Sequence, residues 1–283
     1  MVFGPRYVPY IFRFVSRAEA LGLLNLALFC LDDAAMETCQ ALPGRRERCI
    51  PGTPSILNKF TLPLVYLWLG VDVFWLDFDI FLLQDPTPVV LRESQQRSTE
   101  LLVSGSFADD CICSGLVFFK ATKVVAEWLL LLLSWMYEHV YTHDQQAFSA
   151  FLASRPDEDN ATSPESISSS KLFKMYLQPH VPRWALLDPV TEFVSARVLN
   201  TTGWTGDLEK MVIFHFLHGD SEVNRGHTAY GWNAKSGYTG GTKQPLLDIF
   251  FNQSNATVYS QPLGAAELNS ELQEALMASR RPS

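Results

Sequence analysis

The stretch "VFWLDFDIFLLQDP", Val73 to Pro86, decides how this chain is read. Two aspartates, Asp77 and Asp79, interrupt an apolar run, and Asp85 follows just before a proline. An ionised carboxylate buried without a partner is expensive. The run therefore reads as a strand over Val71 to Leu76 that ends where the acids begin. Residues i and i+2 of extended chain share a face. Asp77 and Asp79 can thus point at one ion while Phe78 turns inward. Ile80 and Phe81 then resume the core, and Asp85-Pro86 reads as a turn or helix cap.

Outward from that run, apolar segments of helix and strand length alternate. Tyr10 to Leu21 has a helical pattern, and "LNLALFCL" (Leu24–Leu31) is of strand length. Asp32 or Asp33 caps a short helix through Cys39. Thr53-Pro54 reads as a cap and first helical residue, opening a helix to Leu69 that Pro63 kinks and Gly70 ends. "ELLVSG" (Glu100–Gly105), "GLVFFK" (Gly115–Lys120) and "KMVIFHFL" (Lys210–Leu217) read as strands. Helices are expected over Thr122–Val140 and His143–Ser154. Residues 155–170 are polar and read as a mobile loop. The expected class is α/β, an α/β/α sandwich on a mostly parallel central sheet. Residues 1–263 form a single domain in this reading, and residues 264–283 a tail with a helical pattern.

The bulk properties narrow the function. The net charge of −8 and the lack of any Lys/Arg run argue against a nucleic-acid partner. No segment reaches the roughly 20 apolar residues of a membrane span. "WLLLLLSWM" (Trp128–Met136) is too short and reads as a buried helix. The five cysteines show no zinc spacing and read as buried free thiols. Cys39 and Cys49 are the two that could bridge in an oxidising lumen. Four N-x-S/T sequons, at Asn160, Asn200, Asn252 and Asn255, exceed the one or so expected by chance.

In α/β sheets, ligands gather beyond the carboxyl ends of strands. An acidic pair there suits a hard divalent cation bound through oxygens. The plainer alternative is a pair of turn acids capping nearby amides. A third reading is a haloacid-dehalogenase-like phosphatase, which also places D-x-D after an apolar strand. Phe81 stands where that family carries Thr or Val, and a helix–strand–helix unit precedes the motif.

The ordered set of motifs resembles the nucleotide-diphospho-sugar transferase family, of the glycosyltransferase family 77 type. That family includes plant cell-wall xylosyltransferases and extensin arabinosyltransferases. The matching residues are Lys59, Gly70, Asp77, Asp79 and Asp85-Pro86, then Ser114-Gly115, Asp144-Gln145, and His215 with Gly219 and Arg225. They fall within a span from about Leu21 to Trp232. Cys113 stands where the family often has Asn.

The resemblance implies a GT-A fold that binds a nucleotide-diphosphate sugar, most often a UDP-sugar, with Mn2+ or else Mg2+. It implies Asp79, Asp77 and His215 as metal ligands, with His218 as a rival to His215. Lys59, Asp77, Ser114, Gly115, Gly219 and Arg225 would bind substrate, and Asp144 and Gln145 would face the reacting sugar. The activity implied is transfer to a glycoprotein or polysaccharide acceptor with retention, in the Golgi or another secretory-pathway lumen. With only "MVFGPRYVP" ahead of the first helix, the family's opening strand is expected to be absent or truncated in this chain, and a membrane anchor likewise. A catalytically inactive relative that binds sugar nucleotide or glycan is the alternative.

Overall fold

The computed structural model describes residues 8–42, 48–53, 55, 57–105, 112–139, 144–153, 181–195, 210–215, 227–228 and 231–232. The expected loop over 155–170, the tail from 264 and the four sequon asparagines lie outside the described residues.

Strand β6 (Ile112–Phe119) is central to a four-stranded sheet. On one side it pairs with β3 (Val73–Leu76), on the other with β5 (Leu101–Gly105), which in turn pairs with β7 (Trp184–Leu186). Side chains alternate across β6, as the strand period requires. Leu116 and Phe118 enter one core with α1 (Ile11–Ala20) and α2 (Asp33–Gln40). Val117 and Phe119 enter a second, with α3 (Asn58–Trp68), α5 (Lys123–Glu138) and α6 (Asp144–Ala153). Helices therefore cover both faces of the sheet, as the α/β sandwich reading requires.

The strand directions differ from expectation. β6 runs antiparallel to both β3 and β5, and only the β5–β7 pair of this sheet is parallel. The link from β5 to β6 covers residues 106–111, too short for the dozen or more residues that a parallel crossover needs. A second sheet pairs β4 (Ile80–Leu82) antiparallel with β9 (Ile213–His215), and β9 parallel with β8 (Phe193–Ser195). β1 (Leu28–Cys30) and β2 (Cys49–Pro51) form a separate parallel pair.

Several local signals hold. Asp32, not Asp33, caps α2 and accepts from Ala35 N at 2.8 Å. Gly70 ends α3 with a φ of +76°, the left-handed conformation that glycine takes most cheaply. The start of α3 differs: it begins at Asn58, not at Thr53-Pro54. The Thr53 carbonyl is engaged in a turn with Ser55 N at 2.7 Å and by the Asn58 amide, so it does not begin the helix. The helix runs through Pro63, which lacks the N–H that would reach Lys59 O. The thiol reading of Cys39 and Cys49 is also corrected, since these two form a disulfide joining α2 to β2. Cys30 and Cys113 are free and buried.

Two packing features fix the elements around the acids. Phe60 of α3 and Phe148 of α6 stack at 5.6 Å with their rings nearly parallel, both fully buried. Truncating either to Ala would cost about 3–5 kcal/mol. Arg17 of α1 is buried, and its Nε and Nη2 donate to Leu82 O and Leu83 O at 2.8 and 2.9 Å. That guanidinium anchors the segment just after the D-x-D. α4 (Thr87–Gln96) follows, with Pro86 as its N-cap, and Asp85 Oδ1 accepts from Thr87 N at 2.9 Å, the turn expected of it. Among the described residues no helix is long and apolar enough to cross a membrane.

Candidate functional site

Asp77 is the first residue past β3, and Asp79 the last before β4, so the D-x-D links the two sheets. Phe78 between them is buried against Phe14, ring centroids 4.9 Å apart. The acids are thus turned out of the core, as the alternation in the sequence requires. Asp77 N–H donates to Gly115 O at 2.7 Å, which ties the motif to β6.

β6 is irregular at this point. Val103 of β5 lies opposite Val117, yet the next residue, Ser104, lies opposite Cys113. Ser114, Gly115 and Leu116 thus bulge from the β5 pairing, and bulges bend a strand and re-aim its side chains. A Cβ at residue 115 would lie 2.8 Å from Asp77 Oδ2 and 3.0 Å from His215 Cε1. Only glycine lets those two side chains close on the strand.

Four predicted residues meet in a buried cluster. Lys59 Nζ lies 2.7 Å from Asp77 Oδ2 and 2.9 Å from Asp144 Oδ2, and donates to Ser114 Oγ at 3.2 Å. Ser114 Oγ in turn donates to Asp144 Oδ2 at 3.0 Å. Lys59, Ser114 and Asp144 are each at most 5 % exposed. Burial alone would lower the Lys59 pKa, but the charges of Asp144 and Asp77 outweigh it and raise it above the ordinary lysine value. Lys59 is therefore a cation held between carboxylates rather than a solvated surface lysine. Gln145 follows Asp144 in the first turn of α6 and is half-buried.

A second pair stands beside this cluster. His215 ends β9, opposite Ile80 in the β4 register, and its Nε2 lies 3.4 Å from Asp79 Oδ1. On its other side, Nδ1 is 3.9 Å from Cys113 Sγ. Burial would lower the His215 pKa; the neighbouring Cys113 and Asp79 outweigh it and raise it to about 10. His218, Gly219 and Arg225 lie outside the described residues.

Two participants were not assigned roles from the sequence. Trp75 Nε1 donates to Asp77 Oδ1 at 3.3 Å. It stands two residues before Asp77, on the same strand face, so its position was legible. Cys113 Sγ accepts from Gly115 N at 3.4 Å besides facing His215; nothing in the local pattern announces that.

Among the described residues, no three His, Cys, Asp or Glu side chains form a group that could hold a metal ion. Asp77 is drawn to Lys59 and Trp75, while Asp79 and His215 face each other. The latter two offer an oxygen and an imidazole nitrogen at 3.4 Å, a donor pair that fits one divalent cation. Holding one would require His215 to give up its proton.

No family model matches the chain, and no curated protein matches it. A crystal structure of the galactosyltransferase LgtC, in complex with donor and acceptor sugar analogues, is similar over 89 % of this chain and 94 % of its own. The identity is 12 % and the TM-score 0.43. A likeness at that level carries no inference about activity.

Proposed function

We propose that this chain is a glycosyltransferase that moves a sugar from a nucleotide-diphosphate sugar, most simply a UDP-sugar, to a glycan or glycoprotein acceptor. The observation that carries it is the convergence around Gly115: two strand-end aspartates, the buried Lys59–Asp144–Ser114 cluster and His215. Carboxylates, a buried ammonium and an imidazole gathered at adjacent strand ends are the groups that a nucleotide-diphosphate sugar and its cation would engage.

Asp79 and His215 would hold a divalent cation, Mn2+ first and Mg2+ second, with Asp77 beside them. Such a cation supplies Lewis-acid stabilisation of the departing nucleoside diphosphate. The protein's own groups do the positioning. Lys59 holds Asp77 and Asp144 in place, and Ser114 holds the Asp144 carboxylate in one orientation. Asp144 and Gln145 would orient the donor sugar. Asp144 has one oxygen bound by two donors and is nearly buried, which supports positioning over nucleophilic attack. Retention by departure and attack on one face of the sugar is therefore preferred to a covalent route. The Cys39–Cys49 disulfide and the four sequons support an oxidising, Golgi-type lumen.

The test is calorimetric titration of UDP with Mn2+ present and absent. Saturable binding that needs the cation and is lost in Asp79→Ala is expected. A folded protein that binds no UDP under either condition sinks the reading.

A second reading, binding without turnover, is favoured by one observation: both Asp77 oxygens are already engaged, by Lys59 and by Trp75. UDP release from a panel of UDP-sugars separates the two, since a binder releases none. Phosphate release from p-nitrophenyl phosphate would instead support the phosphatase.

A further inference from the structure

Asp79 is bracketed by one helix. Phe14 of α1 packs on Phe78, the residue before it, with ring centroids 4.9 Å apart. Arg17, three residues further on and so on the same helix face, reaches the residues after it. Its Cζ lies 5.5 Å from the Phe81 ring centroid, its Nε donates to Leu82 O at 2.8 Å, and its Nη2 donates to Leu83 O at 2.9 Å. The side chain is 5 % exposed. No step of the proposed reaction uses this buried cation. Leu82 stands three strand residues from Asp79, roughly 10 Å along the chain, so Arg17 acts at a distance from the acids.

The register of β4 on β9 needs such a fixture. The pairing is short, with Ile80 opposite His215 and Leu82 opposite Ile213. Every residue of β4 is buried, and so are Ile213 and Phe214. Register is normally set by the contrast between an apolar face and a polar one. A strand that is apolar at every position offers no such contrast, so a shift of one residue would keep its burial. That shift would also carry Asp79 about 3.3 Å along β9 and take its carboxylate off His215. β9 itself is held from its other edge, where Val212 and Ile213 N–H both donate to Glu192 O, at 2.8 and 3.0 Å.

Arg17 blocks the shift of β4. Successive carbonyls of a regular strand point to opposite edges. One guanidinium can bind two in a row only where the chain turns out of the strand. Leu83 N and Gln84 N accordingly share Val212 O, at 2.9 and 3.1 Å, and Gln84 Nε2 donates to Met211 O at 3.2 Å. The turn is thereby pinned to one place in the sequence, and β4 with it. A lysine ammonium lacks the planar fork that spans both carbonyls.

We propose that Arg17 is a positioning residue for the cation pair: its fork on Leu82 and Leu83 fixes β4 against β9 and so sets Asp79 against the His215 imidazole. The cation role rests on the glycosyltransferase reading; the register role does not.

The test uses the full 283-residue chain. Two variants dismantle the fork and keep a polar group: Arg17→Gln, whose amide nitrogen stands where Nε stands and can keep the Leu82 bond, and Arg17→Lys. Asp79→Asn, His215→Gln and their combination are made with Arg17 and with each variant, and urea unfolding is measured without metal. With Arg17 in place, the unfolding constants should show Asp79 and His215 coupled by a factor of about two or more. In whichever variant folds, that factor should fall to about one. Mn2+-dependent UDP affinity should fall by about tenfold or more in the same variant. Gly70→Ala, destabilised without contact to the site, should keep both the coupling and the affinity. Undiminished coupling in a folded variant overturns the proposal, and so does unchanged UDP affinity when the wild type binds UDP. A wild type that binds no UDP removes the glycosyltransferase reading instead, and the coupling alone then decides the register role.

Discussion

Lys59 and Asp144, 85 residues apart in sequence, meet as a buried ion pair at 2.9 Å. The same ammonium holds Asp77 at 2.7 Å, so one cation compensates two carboxylates. Lys59→Met would strand both. Removing one partner of a buried pair costs about 3–5 kcal/mol. Urea unfolding should show a loss of that order, and adding Asp144→Asn should recover part of it. The double-mutant cycle should then give a coupling above roughly 0.5 kcal/mol. Strictly additive costs would mean that the pair does not act as a unit.

The Cys39–Cys49 bridge closes a short loop, with a sequence separation of 10 residues. On the chain-entropy account such a loop stabilises by about 2–3 kcal/mol. Reductant, or the pair Cys39→Ala and Cys49→Ala, should lower the melting temperature accordingly. Identical melting with and without reductant would show that the bond is not formed.

Asp188 sets a pH dependence away from the site. It accepts from Val190 N at 2.8 Å and Thr191 N at 3.1 Å, and from the Thr191 hydroxyl. Burial alone would raise its pKa; those hydrogen bonds outweigh it and hold it below the ordinary value. A depressed folded pKa gives stability that is present above the unfolded value, about 3.9, and lost as pH falls through the folded one. The stability gap between wild type and Asp188→Ala should thus be largest near neutrality and narrow below about pH 4. A gap that stays constant into acid would show that the carboxylate charge is not what the turn uses.

Much of the site was legible one residue at a time. Asp77 and Asp79 stand out because an apolar run cannot absorb them, and Ser114-Gly115 because the resemblance marks it just where the apolar strand Gly115–Lys120 opens. The pairing was less accessible. That Lys59 serves Asp77 and Asp144 depends on α3 and α6 stacking through Phe60 and Phe148, a contact between distant segments. The sheet direction is not legible in the alternation of strands and helices, which suggests crossovers throughout. The link over 106–111 instead makes β5 and β6 a hairpin-like pair. The start of α3 failed for a local reason: Thr53-Pro54 has the right chemistry for a cap, but a turn at Ser55 uses the carbonyl first.

Gly115 gives the sharpest test of the site. His215 is held between Asp79 and Cys113, and Asp77 between Lys59 and Trp75, so neither can retreat freely from a new β-carbon. Gly115→Ala should cost about 1–3 kcal/mol, as overpacking does. It should also weaken Mn2+-dependent UDP binding by more than about tenfold, through displaced side chains worth roughly 1.4 kcal/mol or more. Gly70→Ala is the matched control. Its φ of +76° makes Ala unfavourable by about 1–2 kcal/mol, yet a Cβ there meets nothing within 4 Å. That variant should lose stability and keep its UDP affinity. If both variants lose affinity in step with stability, Gly115 acts only through the fold, and the site built around it is misassigned.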